Sequence, residues 1–233
     1  MKGLRILAAL ALLCGCATQR AWVYAPTLPP VPGGPRPERT VVLPFRDGRQ
    51  NVNNNRLGLY LIPLFPFGWA DFEVPEGMQG HVTSGLWTNY KPTEDYPKAL
   101  ADELRNAGMF REAYFDFKEG DADLAIQGTI LSTKYEGKIL SYCLSVYGPM
   151  LWFIGAPAAT ASNQLTVDLA CVDLRTGRTL FSRRYDATTY RKTSWLYVMA
   201  NDFNYPAMLA EVYRQFATDL VRALPPPKSA ASP

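Results

Sequence analysis

Apolar and polar positions follow two clear periods along this chain of 233 residues. Between Thr93 and Gly108, the residues Tyr96, Leu100, Leu104 and Ala107 recur at helical spacing and form one stripe, which predicts an amphipathic helix. Thr93 is its expected N-cap, Glu94 and Asp95 suit the positive end of the dipole, Pro97 falls in the first turn, and Gly108 ends it. A second stripe of Leu209, Val212, Phe216, Leu220 and Leu224 predicts a helix over Tyr205 to Leu224, with Pro206 in its first turn. Period-two or β-branched runs predict strands over Thr40 to Phe45, Ala113 to Phe117, Ala122 to Tyr135 and Gln164 to Leu174. Along the last of these, Leu165, Val167, Leu169 and Cys171 mark the inward face. Arg178 to Thr188 returns from the turn Arg175-Thr176-Gly177 as a hairpin partner. The sum is one α+β domain over residues 40–224: a mixed, largely antiparallel sheet with two main helices packed on one face, plus a long apolar loop.

Two stretches break these periods. Gly58 to Trp69 reads GLYLIPLFPFGW, and Pro63 and Pro66 exclude a regular helix and demote any strand. It lies in a span of about 45 residues with no clear element, and loops of that length usually carry function or lack order. Ile139 to Val167 contains no charged residue. Its length would cross a bilayer, but Gly148-Pro149 and Pro157 would break such a helix and expose backbone groups to lipid. Leu64, Phe65, Phe67 and Trp69 of the first stretch, with Tyr147, Met150, Leu151, Trp152 and Phe153 of the second, are therefore candidate contacts for a partner or a membrane. The alternatives are a lid of residues 58–69 over the sheet and ordinary core for residues 139–167. Trp69 is expected to cover the sheet and Trp152 to be an exposed anchor.

The amino end, MKGLRILAALALLCGCAT, has cations at Lys2 and Arg5, an apolar run from Ile6 to Leu13, and Gly15 followed by Cys16. This looks like a bacterial lipobox. The resemblance implies a signal peptide over residues 1–15 and a lipid on Cys16 as the first mature residue. Cys14 is a poor rival because bulky Leu13 precedes it. Ala17 stands where an aspartate would resemble an inner-membrane retention signal, so the expected address is the outer membrane, with the domain facing the periplasm. Residues 16–39 hold six prolines and predict an extended tether. Residues 225–233 follow the Pro225-Pro226-Pro227 stop and predict a frayed tail.

Loss of the signal would leave 22 of the 24 Lys and Arg against 21 Asp and Glu, a balance with no global field for nucleic acid. Cys143 and Cys171 would remain in a compartment that permits disulfides; they are a candidate pair, and two small buried residues are the alternative. Candidate chemistry is sparse. His81, the one histidine, has no partner at triad or zinc spacing. Asp121 and Asp123 are a candidate acid/base pair, or else a solvated turn before a strand. No catalytic residue, metal or cofactor is expected. The expected partners are the membrane, through the lipid on Cys16, and an unidentified envelope protein. Nucleic acid is excluded and a homo-oligomer is compatible.

Three patches carry a further resemblance: Val41-Val42-Leu43-Pro44-Phe45 with Asp47, Ala99-Leu100-Ala101-Asp102-Glu103-Leu104 with Gly108-Met109-Phe110, and Asp121 to Ile130. Residues 40–224 resemble the periplasmic domains with an anticodon-binding-like fold. Such domains occur at the amino end of the Tol-system propeller protein, in lipoprotein activators of penicillin-binding proteins, and in the curli-secretion lipoprotein. A tether, a compact domain and the lack of candidate chemistry together predict a non-catalytic lipoprotein whose domain docks a protein partner or scaffolds an envelope assembly. A subunit of an oligomeric pore, with residues 139–167 inserted, is the alternative. An apolar-ligand carrier, or a hydrolase using Asp121 or Asp123, stands further back, since a fold does not fix a function.

Overall fold

The computed structural model describes residues 22–31, 34–78, 90–189, 191–198 and 202–224. The expected signal peptide, Cys16, His81 and the expected tail lie outside them. From the amino end come strands β1 (Arg36–Val42), β2 (Arg46–Asp47), β3 (Val52–Arg56) and β4 (Phe67–Glu73), then helix α1 (Pro92–Asn106). Strands β5 (Phe110–Phe115), β6 (Leu124–Ser132) and β7 (Tyr135–Leu140) follow, then a short helix α2 (Gly148–Phe153). The chain closes with β8 (Pro157–Asp173), β9 (Arg178–Thr188), β10 (Lys192–Trp195) and helix α3 (Tyr205–Ala223).

The described strands form one sheet in the order β3-β4-β7-β8-β6-β1-β5, with β9 and β10 along β8 and β2 along β6. Strand β8, at 17 residues, joins its two halves. Its first part pairs with β7 and β10, and its second part with β6 and β9, all antiparallel. Only β1 with β5 and β6, and β2 with β6, run parallel among the described strands. This is the expected mixed, largely antiparallel α+β arrangement.

The core lies between α1, α3 and the β6/β8 half of the sheet. Tyr96, Leu100, Leu104 and Ala107 of the α1 stripe are buried, as are all five residues of the α3 stripe. They pack into one cluster with Val42, Ile126, Ile130, Leu165, Val167, Leu169 and Cys171. Each fully buried Leu, Val or Phe contributes about 1.5–3 kcal/mol, so this cluster dominates the stability of the domain.

Local readings shift in instructive ways. Helix α1 starts at Pro92 with Lys91 as its N-cap residue, two positions before the expected Thr93 cap. The Thr93 N–H and hydroxyl instead donate to the Glu76 carboxylate at 2.9 and 2.7 Å. Pro97 then lies inside the helix, where it cannot donate back to Thr93. The Phe45 N–H, from the loop after β1, takes up that freed Thr93 carbonyl at 2.9 Å. Strand β1 begins earlier and ends earlier than Thr40 to Phe45, because β5 offers a pairing edge back to Arg36. The strand expected over Ala122 to Tyr135 is two, β6 and β7, and the supposedly structureless span after Asp47 contains β3 and β4.

The expected proline tether over residues 16–39 is also corrected in part. Residues 22–31 pack along α1 and α3, and β1 already starts at Arg36. The clamp is Glu103, wholly buried on the α1 stripe. Its carboxylate accepts from the Tyr24 hydroxyl at 2.6 Å and from the backbone N–H groups of Thr27 and Leu28 at 2.9 and 2.8 Å. Val31 N–H donates to the Ala107 carbonyl, satisfying an orphan carbonyl at the helix end. The Trp22 ring stacks on Tyr24 and Tyr90 and leans on Tyr96. Prolines keep this segment extended, and extension is what lays it across two helices.

Candidate functional site

Strands β3, β4, β7 and the Pro157 end of β8 run to one end of the sheet. Three connections close over that end: residues 57–66, residues 141–156 and the tight turn 195–198. None of the residues 57–66, 139–156 or 195–198 is charged. The first connection begins as a 3₁₀ turn over Leu57–Leu61, and the second holds another over Ser145–Tyr147 before α2. Trp195 sits opposite Pro157, which places the third beside them.

Backbone hydrogen bonds stitch the first two together. The N–H groups of Ser141 and Tyr142 both donate to the Pro66 carbonyl, at 2.9 and 3.0 Å, and Leu64 N–H donates to Cys143 O. The Ser141 hydroxyl donates to Phe65 O at 2.7 Å, and the Ser145 hydroxyl to Leu61 O. Proline supplies a carbonyl without an N–H of its own, so Pro66 suits a site that only accepts. Two glycines permit the approach. A Cβ on Gly68 would lie 2.0 Å from the Leu57 carbonyl oxygen, and one on Gly148 would lie 2.3 Å from that of Ser141.

The result is a tip that turns apolar side chains outward. Leu64 is 83% exposed, Ile154 80%, Tyr147 68%, Phe153 65% and Met150 64%. The tip also stores backbone strain. Leu64, Tyr142, Cys143 and Ser145 are the non-glycine residues with positive φ among the described residues, and all four are here. Such conformations cost about 1–3 kcal/mol each and gather where function requires them.

Of the nine residues expected to make contacts, Leu64, Phe65, Tyr147, Met150 and Phe153 are exposed, while Leu151, Trp152, Phe67 and Trp69 are half-buried. The two apolar stretches, some 80 residues apart in the chain, form one surface. Two expectations are corrected. Residues 67–69 are no lid over the sheet; they belong to β4 itself. Trp152 is no free anchor either, since its indole N–H donates to the Leu140 carbonyl at 3.0 Å and ties α2 to β7. The 195–198 turn, with Tyr197 and Val198 well exposed, escaped the sequence reading, although its run of four uncharged residues was the available signal.

A row of cations lies behind the tip. Arg56, Trp69 and Lys138 are paired in register across β3, β4 and β7. The Arg56 guanidinium lies 5.6 Å from the Trp69 ring centroid, and the Lys138 ammonium 5.1 Å from that of Phe67. Lys192 stands one register position beyond this row, on β10.

Other candidates have structural explanations. Cys143 and Cys171 do not pair: Cys143 is exposed at the tip and Cys171 is buried on β8. Twelve residues of β8 separate Cys171 from Ala159, the partner of Ile139, a gap of about 40 Å. Burial pushes the Cys171 thiol up to about 12. Asp121 and Asp123 are exposed, and Asp123 accepts the Arg39 N–H at 2.8 Å, joining β1 to the start of β6. A cavity of about 350 Å³ is lined by Arg49, Glu73, Tyr90 and Tyr205. Within it Arg49 makes a bidentate bond to Asp47 and donates to Thr133, while Glu73 accepts the Thr133 N–H. Burial raises the Glu73 carboxyl above its ordinary range. Among the described residues no cluster of three His, Cys, Asp or Glu could hold a metal, and no helix is long and apolar enough to cross a membrane.

No family model matches the chain, and no curated protein matches it. Solved structures with a similar course include protein XCC0632 from Xanthomonas campestris, 11% identical, covering 86% of this chain and 92% of that one, with a TM-score of 0.43. The PelC dodecamer from Paraburkholderia phytofirmans is 11% identical, with 81% and 92% covered and a TM-score of 0.36. Lipoprotein GNA1162 from Neisseria meningitidis is 11% identical, with 80% and 99% covered and a TM-score of 0.35. At these identities and scores, none of the three fixes a function for this chain.

Proposed function

We propose that this chain is a bacterial envelope lipoprotein, anchored through a lipid on Cys16, whose domain acts without catalysis by docking through the uncharged tip. The observation that carries the reading is the tip itself. Soluble domains seldom leave contiguous apolar side chains exposed unless something covers them, and this one is locked in place by strained backbone and close glycine contacts. Two secondary observations agree. Asp123 at the β6 start and Asp47 and Glu73 in the Arg49 cavity are engaged in structural bonds, and the lipobox-like start supplies an anchor. Ala17, next to the lipidated Cys16, favours the outer membrane as the address.

The test is a set of charge substitutions on the tip of the full chain: Phe153→Asp and Ile154→Asp, singly and together. Both side chains point outward, so abundance, lipid labelling and melting temperature should stay near wild type while the cellular phenotype becomes that of a deletion. In parallel, Asp121→Asn, Asp123→Asn and His81→Ala should leave the phenotype intact. Full function in the double tip variant would overturn the docking role, and a null phenotype from one of the other three in a folded protein would bring back an enzyme.

A further inference from the structure

Resting on that docking reading, we infer that the occupant of the tip is a lipid bilayer, so that the domain is held to its own membrane at two points, the lipid on Cys16 and the tip.

The first support is the length of the leash. With residues 22–31 clamped on α1 and α3, only five residues, six Cα-to-Cα steps, separate Cys16 from Trp22 with its packed ring. Six such steps reach at most about 21 Å. From Trp22, stacked aromatic contacts run through Tyr90 to Tyr205, and the neighbouring Asn204 donates to Asn163 on β8 at 3.0 Å. Asn163 lies six residues from Pro157 at the tip end of β8, about 20 Å along the strand. Leash and strand are thus matched in length, and a lipid at Cys16 can lie in the plane that the tip reaches. A free tether of residues 16–39 would let the domain stand several tens of Å away; the clamped one limits that reach to the leash of residues 17–21.

The second support is the order of side chains along the strands. Beyond Pro66 and Leu140 come only uncharged residues, with Leu64, Met150, Phe153 and Ile154 foremost in exposure. Trp69 and Lys138 stand two residues inside the ends of β4 and β7, about 7 Å back, and Arg56, the last residue of β3, is level with them by register. An interfacial segment buries its apolar side about 5–10 Å deep and keeps basic groups at the headgroups. Trp and Tyr favour that boundary, where one edge is apolar and the other wet. The Arg56–Trp69 and Lys138–Phe67 contacts therefore sit at the depth of the phosphates, which the Arg56 guanidinium would meet directly and Lys138, ion-paired with Glu136 at 2.8 Å, would meet by sharing its ammonium. A protein groove would accept the apolar residues equally well but gives no reason for a cation row at this depth or for so short a leash.

The chain carries its own reporter. Cys143 is exposed at the tip, Cys171 is buried, and a lipidated Cys16 has no free thiol. A nitroxide is attached to Cys143 of the full lipidated protein in vesicles of phosphatidylethanolamine and phosphatidylglycerol, without other protein. Its accessibility to oxygen should exceed that to a water-soluble nickel chelate several-fold. A label on Thr176→Cys, at the opposite end of β8, in a Cys143→Ser background should show the reverse. Phe153→Asp with Ile154→Asp should return the Cys143 label to water. A Cys143 label as open to the nickel chelate as the Thr176 control would overturn the inference. If that label is open in vesicles but shielded in native envelopes, the occupant is a protein, and the docking reading survives without the bilayer. Shielding in vesicles that disappears on dilution of the protein would mean a second copy, and would equally overturn it.

Discussion

The helical layer and the tip are built from the same kinds of residue and use them in opposite ways. Leu100, Leu104, Leu209 and Phe216 are wholly inside, while Leu64, Phe153 and Ile154 are largely outside. The difference is one of backbone rather than side chain. Helices α1 and α3 repeat apolar residues every three or four positions, so each presents one stripe and the sheet covers it. In the tip, Pro63, Pro66, Gly148 and Pro149 break every period. Its residues do not form a periodic stripe that the sheet could cover, and no second layer of described residues lies over them. Hydrophobic residues form a core only where the backbone lets them point the same way.

That contrast breaks first in the helical layer, where the effects are largest. Leu100→Ala or Phe216→Ala should lower stability by about 2–5 kcal/mol, by denaturant titration, because each leaves a cavity in packed core. A loss below 1 kcal/mol would mean that the layer is looser than its burial implies. Next is the clamp. Glu103→Ala strands the Tyr24 hydroxyl and the Thr27 and Leu28 N–H groups and should cost about 2–3 kcal/mol. Residues 22–31 should become open to protease before the domain melts, and Glu103→Gln should recover part of the loss. Protease resistance unchanged in Glu103→Ala would show that the strap is held by its aromatic rings alone.

Within the tip the expected effects shrink. Gly148→Ala drives a methyl group against the Ser141 carbonyl and should cost about 1–3 kcal/mol through overpacking, with the Cys143 environment disturbed and the core untouched. Trp152→Phe keeps the ring but leaves the Leu140 carbonyl without its donor, for about 1 kcal/mol. Phe153→Ala is the smallest, within about 0.5 kcal/mol as for other exposed positions, yet it should weaken docking more than Trp152→Phe does. If Phe153→Ala destabilised the fold as strongly as Leu100→Ala, the tip would be core and the comparison would collapse.

Both helical stripes could be read in the sequence to the residue, since a 3.6-residue period is local information. So could Leu165, Val167, Leu169 and Cys171, which alternate as a half-buried strand must. The apolar tip was half legible. Its uncharged runs stood out, but the strands β3, β4 and β7 beneath it did not, because their residues pair with partners far along the chain. Val52 to Arg56 reads as polar loop, with three asparagines in succession, and becomes a strand only because β4 offers it an edge. Glu103 was overlooked in the other direction. An acid on an apolar helical stripe was visible as an anomaly, but the donors that satisfy it lie more than 70 residues away.

The sequence by itself determined the two long helices and the faces they bury, that the stretches 58–69 and 139–167 are uncharged and interrupted by proline, and that the chain begins like a lipoprotein. Those properties depend on neighbours within a few residues: side-chain period, proline's missing N–H, and charge. Only the tertiary structure decided that two distant uncharged stretches and the 195–198 turn form one outward tip, that Cys143 and Cys171 stand far apart, and that the proline segment is a clamped strap with a short leash. Each of these depends on which N–H groups meet which carbonyls or carboxylates across the fold, and that pairing is settled when the sheet and its helices come together.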